Sequence, residues 1–115
     1  MLKKLLFTLS LIFAGVCVVS AQSVYTPAKG SAERTEILNV LRAPVEKELR
    51  QKIQFAIEHF NISGNWAFVS GEPQTLSGGQ PDYRGTKYQE EFDAGMFDNN
   101  FFAPLRKTGG KWKIV

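Results

Sequence analysis

Ile53-Gln54-Phe55-Ala56-Ile57-Glu58-His59-Phe60-Asn61-Ile62-Ser63-Gly64-Asn65-Trp66-Ala67-Phe68-Val69 is the stretch whose reading decides the architecture. Ile53, Phe55 and Ile57 alternate with Gln54, Ala56 and Glu58, the period of a strand with one apolar face. Beyond Glu58 the apolar positions become Phe60 and Ile62, a change of phase. That shift predicts either two partly covered faces or a bulge near Glu58–His59. Ser63-Gly64-Asn65 supplies a turn and Trp66-Ala67-Phe68-Val69 opens a second strand, so the whole reads as an antiparallel hairpin.

Upstream, the period lengthens. Ile37, Leu41, Val45 and Leu49 recur every four residues and Leu38 widens the stripe, while Glu33, Glu36, Arg42, Glu46, Lys47 and Arg50 fill much of the opposite surface. This predicts an amphipathic helix of about 19 residues, capped by Ser31 with Glu33 in its first turn. Pro44 removes one helical hydrogen bond and predicts a kink, or two helices meeting at Ala43–Pro44. The stripe stays in phase across it, which favours one bent element. Residues 22–30, broken by Pro27 and Gly30, read as an extended lead-in.

Downstream, residues 71–81 read as a loop around Pro73 and Gly78-Gly79. Tyr83, Tyr88 and Phe92 fit a weak strand or a short helical turn near Lys87–Phe92. Phe97, Phe101, Ala103 and Leu105 share parity within a strand over 96–107, with Asp98-Asn99-Asn100 as an irregularity. Pro104 places that strand at an edge or a bulge. After the turn Thr108-Gly109-Gly110-Lys111, the residues Trp112, Ile114 and Val115 begin a further strand. That strand is shorter than usual, so the reading includes a sheet lacking its last strand.

The N-terminus has another character. Met1–Lys4 is short and basic, Leu5–Val19 is apolar, and Val19 and Ala21 stand at −3 and −1 of a cut before Gln22, the pattern of a secretory signal. The apolar run is too short to span a bilayer comfortably. A retained anchor is the rival reading, and Val16 before Cys17 argues against a lipoprotein. The expectation is therefore a signal at 1–21, a lead-in at 22–30, one domain at 31–115, and export to the periplasm or beyond with no stable membrane anchor after cleavage. Cleavage also removes Cys17, the sole cysteine of the 115 residues, together with Lys3 and Lys4. The remaining chain then carries 12 basic and 11 acidic side chains, so the net charge falls from +3 to +1. Without disulfides, a small domain depends on packing, and its aromatic residues supply the apolar area.

A helix followed by antiparallel strands predicts an α+β layer pair, with the kinked helix covering the aromatic side of a twisted sheet. Cystatin-like and NTF2-like folds share this layout. The segments Ile37-Leu38-Asn39-Val40-Leu41-Arg42-Ala43-Pro44, Trp66-Ala67-Phe68-Val69-Ser70-Gly71-Glu72-Pro73-Gln74 and Leu105-Arg106-Lys107-Thr108-Gly109-Gly110-Lys111-Trp112-Lys113-Ile114-Val115 resemble a loosely defined group of small exported bacterial proteins without an established function. The resemblance covers most of residues 33–115 and implies no catalytic signature. Members of that group usually continue beyond the last strand, and the departure here raises the reading of a truncated copy.

Few chemistries find their residues. His59 is the sole histidine, and zinc needs three or four convergent ligands. Asp82, Glu90, Glu91, Asp93 and Asp98 do not have calcium-loop spacing. Ser63, Ser70 and Ser77 lack the nucleophile-elbow context, and Gly78-Gly79 lacks the phosphate-loop spacing. Arg106, Lys107, Lys111 and Lys113 cluster around one hairpin, a weak basis for nucleic-acid binding. No catalytic residue, metal or cofactor is therefore assigned, and nucleic acid is not expected as a partner.

Trp66 and Trp112 each start a strand after a glycine-containing turn and are expected to close the two ends of the core. In the alternative reading they form a ligand platform at a pocket mouth with Tyr83, Tyr88 or Arg84 nearby, and the ligand-binding candidates are Trp66, His59, Arg84 and Tyr88. The function this predicts is a noncatalytic exported domain that binds a small molecule or an envelope protein. A small enzyme with an NTF2-like pocket would need His59 and an acid in one concavity. A truncated copy would have no independent function. Open strand edges suit a homodimer.

Overall fold

Ser31 stands in an extended conformation and its hydroxyl accepts the Arg34 N–H at 3.2 Å, which starts helix α1, Ala32–Leu49. The computed structural model describes residues 23–115, so the secretory signal read at 1–21 lies outside the described residues. α1 is one helix; Pro44 lies inside it and does not divide it into two. Ile37, Leu41 and Leu49 are buried, so the same stripe anchors the helix on both sides of the proline. Pro44 itself is exposed, which leaves water to satisfy the carbonyl that its missing N–H cannot reach. The helix ends at Arg50, which turns left-handed (φ 56°) and donates its N–H to the Glu46 carbonyl at 2.8 Å.

The lead-in contributes strand β1, Val24–Tyr25. After α1 come β2, Gln54–Ser63, and β3, Trp66–Gln74, then a short helix α2, Gln89–Asp93, and the strands β4, Phe101–Thr108, and β5, Lys111–Ile114. The five strands form one antiparallel sheet in the order β1-β2-β3-β4-β5. It is an open, twisted sheet with α1 packed on one face, an α+β architecture.

The expected irregularity in β2 is a bulge. Ile57 pairs with Gly71 and His59 with Ser70, so Glu58 is the extra residue. The bulge returns Phe60 and Ile62 to the inner face, where both are buried. Opposite it, Gly71 has no room for a side chain: a Cβ there would lie 2.1 Å from the Ala56 carbonyl oxygen.

Four readings are corrected. β4 lies between β3 and β5 and pairs with both without a shift, so Pro104 stands at neither an edge nor a bulge; its nitrogen faces the end of β5, where the Val115 N–H reaches the Pro104 carbonyl at 3.0 Å. β3 runs on through Gly71 and Pro73 to Gln74, so the loop starts later than residue 71. Pro73 is tolerated because its carbonyl points away from β2, towards Asn99. Its missing N–H is therefore no loss to the β2–β3 ladder. The fourth strand starts at Phe101, and Phe97 lies outside it. Most consequentially, the aromatic residues divide between the two faces. Ala67 and Val69 are fully buried under α1, whereas Trp66 and Phe68 are 37% and 38% exposed on the outer face. Trp112 does close the core, at 3% exposure, while Trp66 does not. Ala67 in the inner position lets the helix approach the sheet closely, which a tryptophan in the same place would prevent.

Candidate functional site

The inner layer is sealed under the first half of α1 and incomplete under its last turns. There Val45 and Leu49 of α1 face Phe55 of β2, Pro73 of β3 and Phe101 of β4, and Tyr83, Tyr88 and Phe97 close the remaining side. They enclose a half-open cavity of about 140 Å³, with Glu48, Asp98, Asn99 and Asn100 also in its wall. An apolar cavity of about 150 Å³ accommodates benzene. The space suits one ring.

Side-chain hydrogen bonds hold the segment that carries the tyrosines. Gln51, just past α1, donates to the Asp82 carbonyl at 2.7 Å and accepts the Asp82 N–H at 3.0 Å. Glu46 accepts the Ile53 N–H at 2.9 Å, which fixes the passage from α1 to β2. Asp82 in turn pairs with Arg84 at 2.7 Å, and that guanidinium draws its carboxyl down to about 2. Between them Tyr83 points inward and is buried. Its ring meets Phe97 edge-on, with centroids 4.7 Å apart, and stands nearly perpendicular to Tyr88. Such tilted contacts match the positive ring edge of one aromatic to the negative face of the next.

Both phenols, Glu48 and Asn99 are partnered. The Tyr83 hydroxyl donates to Asn99 Oδ1, and the Asn99 amide donates to the Pro73 carbonyl. The Tyr88 hydroxyl donates to Glu48 Oε1 at 2.9 Å, and the Lys87 ammonium pairs with the same carboxylate. Lys87 holds the Glu48 carboxyl below its ordinary value. Burial pushes the Tyr83 phenol up to about 12, and burial, with the Glu48 hydrogen bond, raises Tyr88. Both phenols stay protonated at neutral pH and act as donors. The site therefore offers an apolar slot with two phenols, the Glu48 carboxylate and the Asn99 amide held by these bonds, and with Asp98 and Asn100 at its wall.

Of the four residues singled out by sequence, the structure places Tyr88 in this wall. Arg84 is exposed beside it and engaged by Asp82. Trp66 and His59 lie on the outer face of the sheet, away from the cavity. The His59 side chain is 71% exposed, with Glu58 at 3.8 Å as its acidic neighbour. His59 thus faces solvent and shares no concavity with an acid. Glu48, Gln51, Phe97 and Asn99 were not singled out. Glu48 had a signal, because it sits one turn beyond Val45 at the flank of the apolar stripe. Among the described residues, no group of three or more His, Cys, Asp or Glu side chains converges on a metal position. Nor is any described helix long and apolar enough to cross a membrane.

Comparison of the chain with protein-family models, with curated proteins and with solved structures finds no match.

Proposed function

We propose that this chain is a noncatalytic, exported binding domain with a cystatin-like or NTF2-like layout, and that its ligand is a small ring-bearing molecule held between α1 and the sheet. Three features of element order support the layout: a leading strand, a long helix and a four-strand meander. The basic and apolar N-terminal pattern supports export. The observation that carries the binding reading is the half-open cavity of about 140 Å³, whose walls are mainly aromatic and aliphatic and whose phenols, Glu48 and Asn99 are held by hydrogen bonds. Pockets for drug-sized molecules are about 300 Å³ or larger, so the seat takes one ring, or one ring of a larger ligand that extends past the open side.

The test is an NMR titration of the purified full chain with p-cresol, whose hydroxyl mimics a polar handle on an apolar ring. Saturable shifts confined to Val45, Leu49, Tyr83, Tyr88 and Phe97 are expected, with a dissociation constant of about 1 mM or lower. Val45→Phe fills the slot and abolishes them, whereas Phe102→Asp, on the opposite face, leaves them unchanged. Absence of saturable shifts, or shifts that survive Val45→Phe, would contradict the proposal.

A further inference from the structure

The outer face of the sheet carries an arrangement that the cavity does not use. By register, Trp66, Phe68, Ser70 and Glu72 of β3 point away from α1, and Arg106, Pro104 and Phe102 of β4 lie opposite Trp66, Phe68 and Ser70. Lys113 of β5 continues the Arg106 row. Trp66 and Phe68 are nearly parallel, with centroids 6.4 Å apart, and Phe68 and Phe102 follow at 6.1 Å. Phe102 is 67% exposed. A continuous aromatic strip on a sheet face is uncommon in water unless something covers it.

The charges on this face separate along the strands. At the Trp66 end stand Arg106, its guanidinium 5.1 Å from the Trp66 ring centre, and Lys113 beside it. At the other end stand Glu72 and the bulge residue Glu58, both exposed, with the His59 ring 3.8 Å from the Glu58 carboxylate. Along the strands the rows therefore run from Trp66 with its cations, through Phe68 and then Phe102, to the anionic Glu72 row. Turned about a two-fold axis that lies across the strands, such a surface is complementary to itself. A polyanion would meet the two glutamates, and a bare apolar surface would leave both charged ends unpaired. A second copy satisfies all three zones.

We infer that this face is the contact between two copies of the chain, packed sheet on sheet with Arg106 of one copy over the Glu72 end of the other. Facing sheets stand about 10 Å apart, room for one interdigitated layer of side chains. The contact is isologous, so each complementary pair occurs twice. The surface lies on the opposite side of the sheet from the cavity, and the two proposals stand or fall separately.

Sedimentation equilibrium of the purified full chain tests it. The expected result is a dimer that Phe102→Asp converts to a folded monomer, with unchanged far-ultraviolet circular dichroism. Arg106→Glu and Glu72→Arg should each weaken dimerisation by about tenfold or more. Combined in one chain, they should restore it to within about threefold of the parent, because the swapped charges again face opposite signs. A parent chain that stays monomeric at about 0.5 mM, including one that instead binds anionic vesicles or glycans, would overturn the inference; so would a dimer indifferent to these changes, or a double variant no better than the singles.

Discussion

The two ends of the layer between α1 and the sheet are filled by similar residues and sealed differently. Under the first half of α1, Ile37 and Leu41 meet Phe60, Ile62, Val69, Leu105 and Trp112, every one delivered by a helix or a paired strand. Under the last turn, Leu49 and Ile53 meet Tyr83, flanked by Val45, Tyr88 and Phe97. There the rings arrive from the connection between β3 and β4, and side-chain bonds such as those of Gln51 and Asn99 hold them. A backbone ladder fixes side chains at strand spacing, and they interdigitate with few gaps. A hydrogen-bonded connection fixes its rings at a few points and leaves a ring-sized gap. The loosely built end is where the molecule has a cavity.

The largest expected effect compares the two ends directly. Ile37→Ala opens a new hole in the sealed end and should cost about 3–5 kcal/mol, whereas Leu49→Ala extends a gap that already exists and should fall near the lower limit of about 2 kcal/mol. Urea denaturation of both variants measures this, and equal losses would remove the distinction. Next comes Gly71→Ala, which belongs to neither end but sets their relation through the bulge. Its Cβ would collide with the Ala56 carbonyl, and a clash with backbone should cost about 1–3 kcal/mol. A neutral result would mean that β2 and β3 are not so close.

The smallest effect concerns the open end alone. Glu48 has a lowered folded-state pKa, so its contribution is complete above the ordinary carboxylate value of about 4.3 and fades as the pH falls through the lowered value. The melting temperature of Glu48→Gln should lie below that of the parent by a constant amount above about pH 5, and the two should converge in stronger acid. A gap that persists unchanged to about pH 2 would show that Glu48 acts there without its charge.

Much of the scaffold was legible because period and phase are local properties. The spacing of Ile37, Leu41, Val45 and Leu49 described α1, and the shift from Ile57 to Phe60 marked the bulge that the pairing contains. Trp66-Ala67-Phe68-Val69 defeated the same logic. All four residues are apolar, so alternation cannot say which pair enters the core; ring size favours Trp66 and Phe68, and Ala67 and Val69 occupy it. The cavity was less legible still. Tyr83 and Asn99 are joined across 16 positions and Gln51 and Asp82 across 31, and no periodic pattern encodes such contacts. Tyr88 was singled out as an aromatic near a pocket mouth, but Glu48, its partner 40 positions earlier, read as one more charge on a helix.

Native-state hydrogen exchange puts the difference between the two ends to its most direct test. Amides of β2, β3 and β4 beneath Ile37 and Leu41 should exchange only through global unfolding, and those of residues 82–99 through a local opening of clearly lower free energy. Adding p-cresol should slow the second group and leave the first unchanged. Equal protection across both groups would mean that the layer opens as one unit, and that the two ends are not the distinct structures described above.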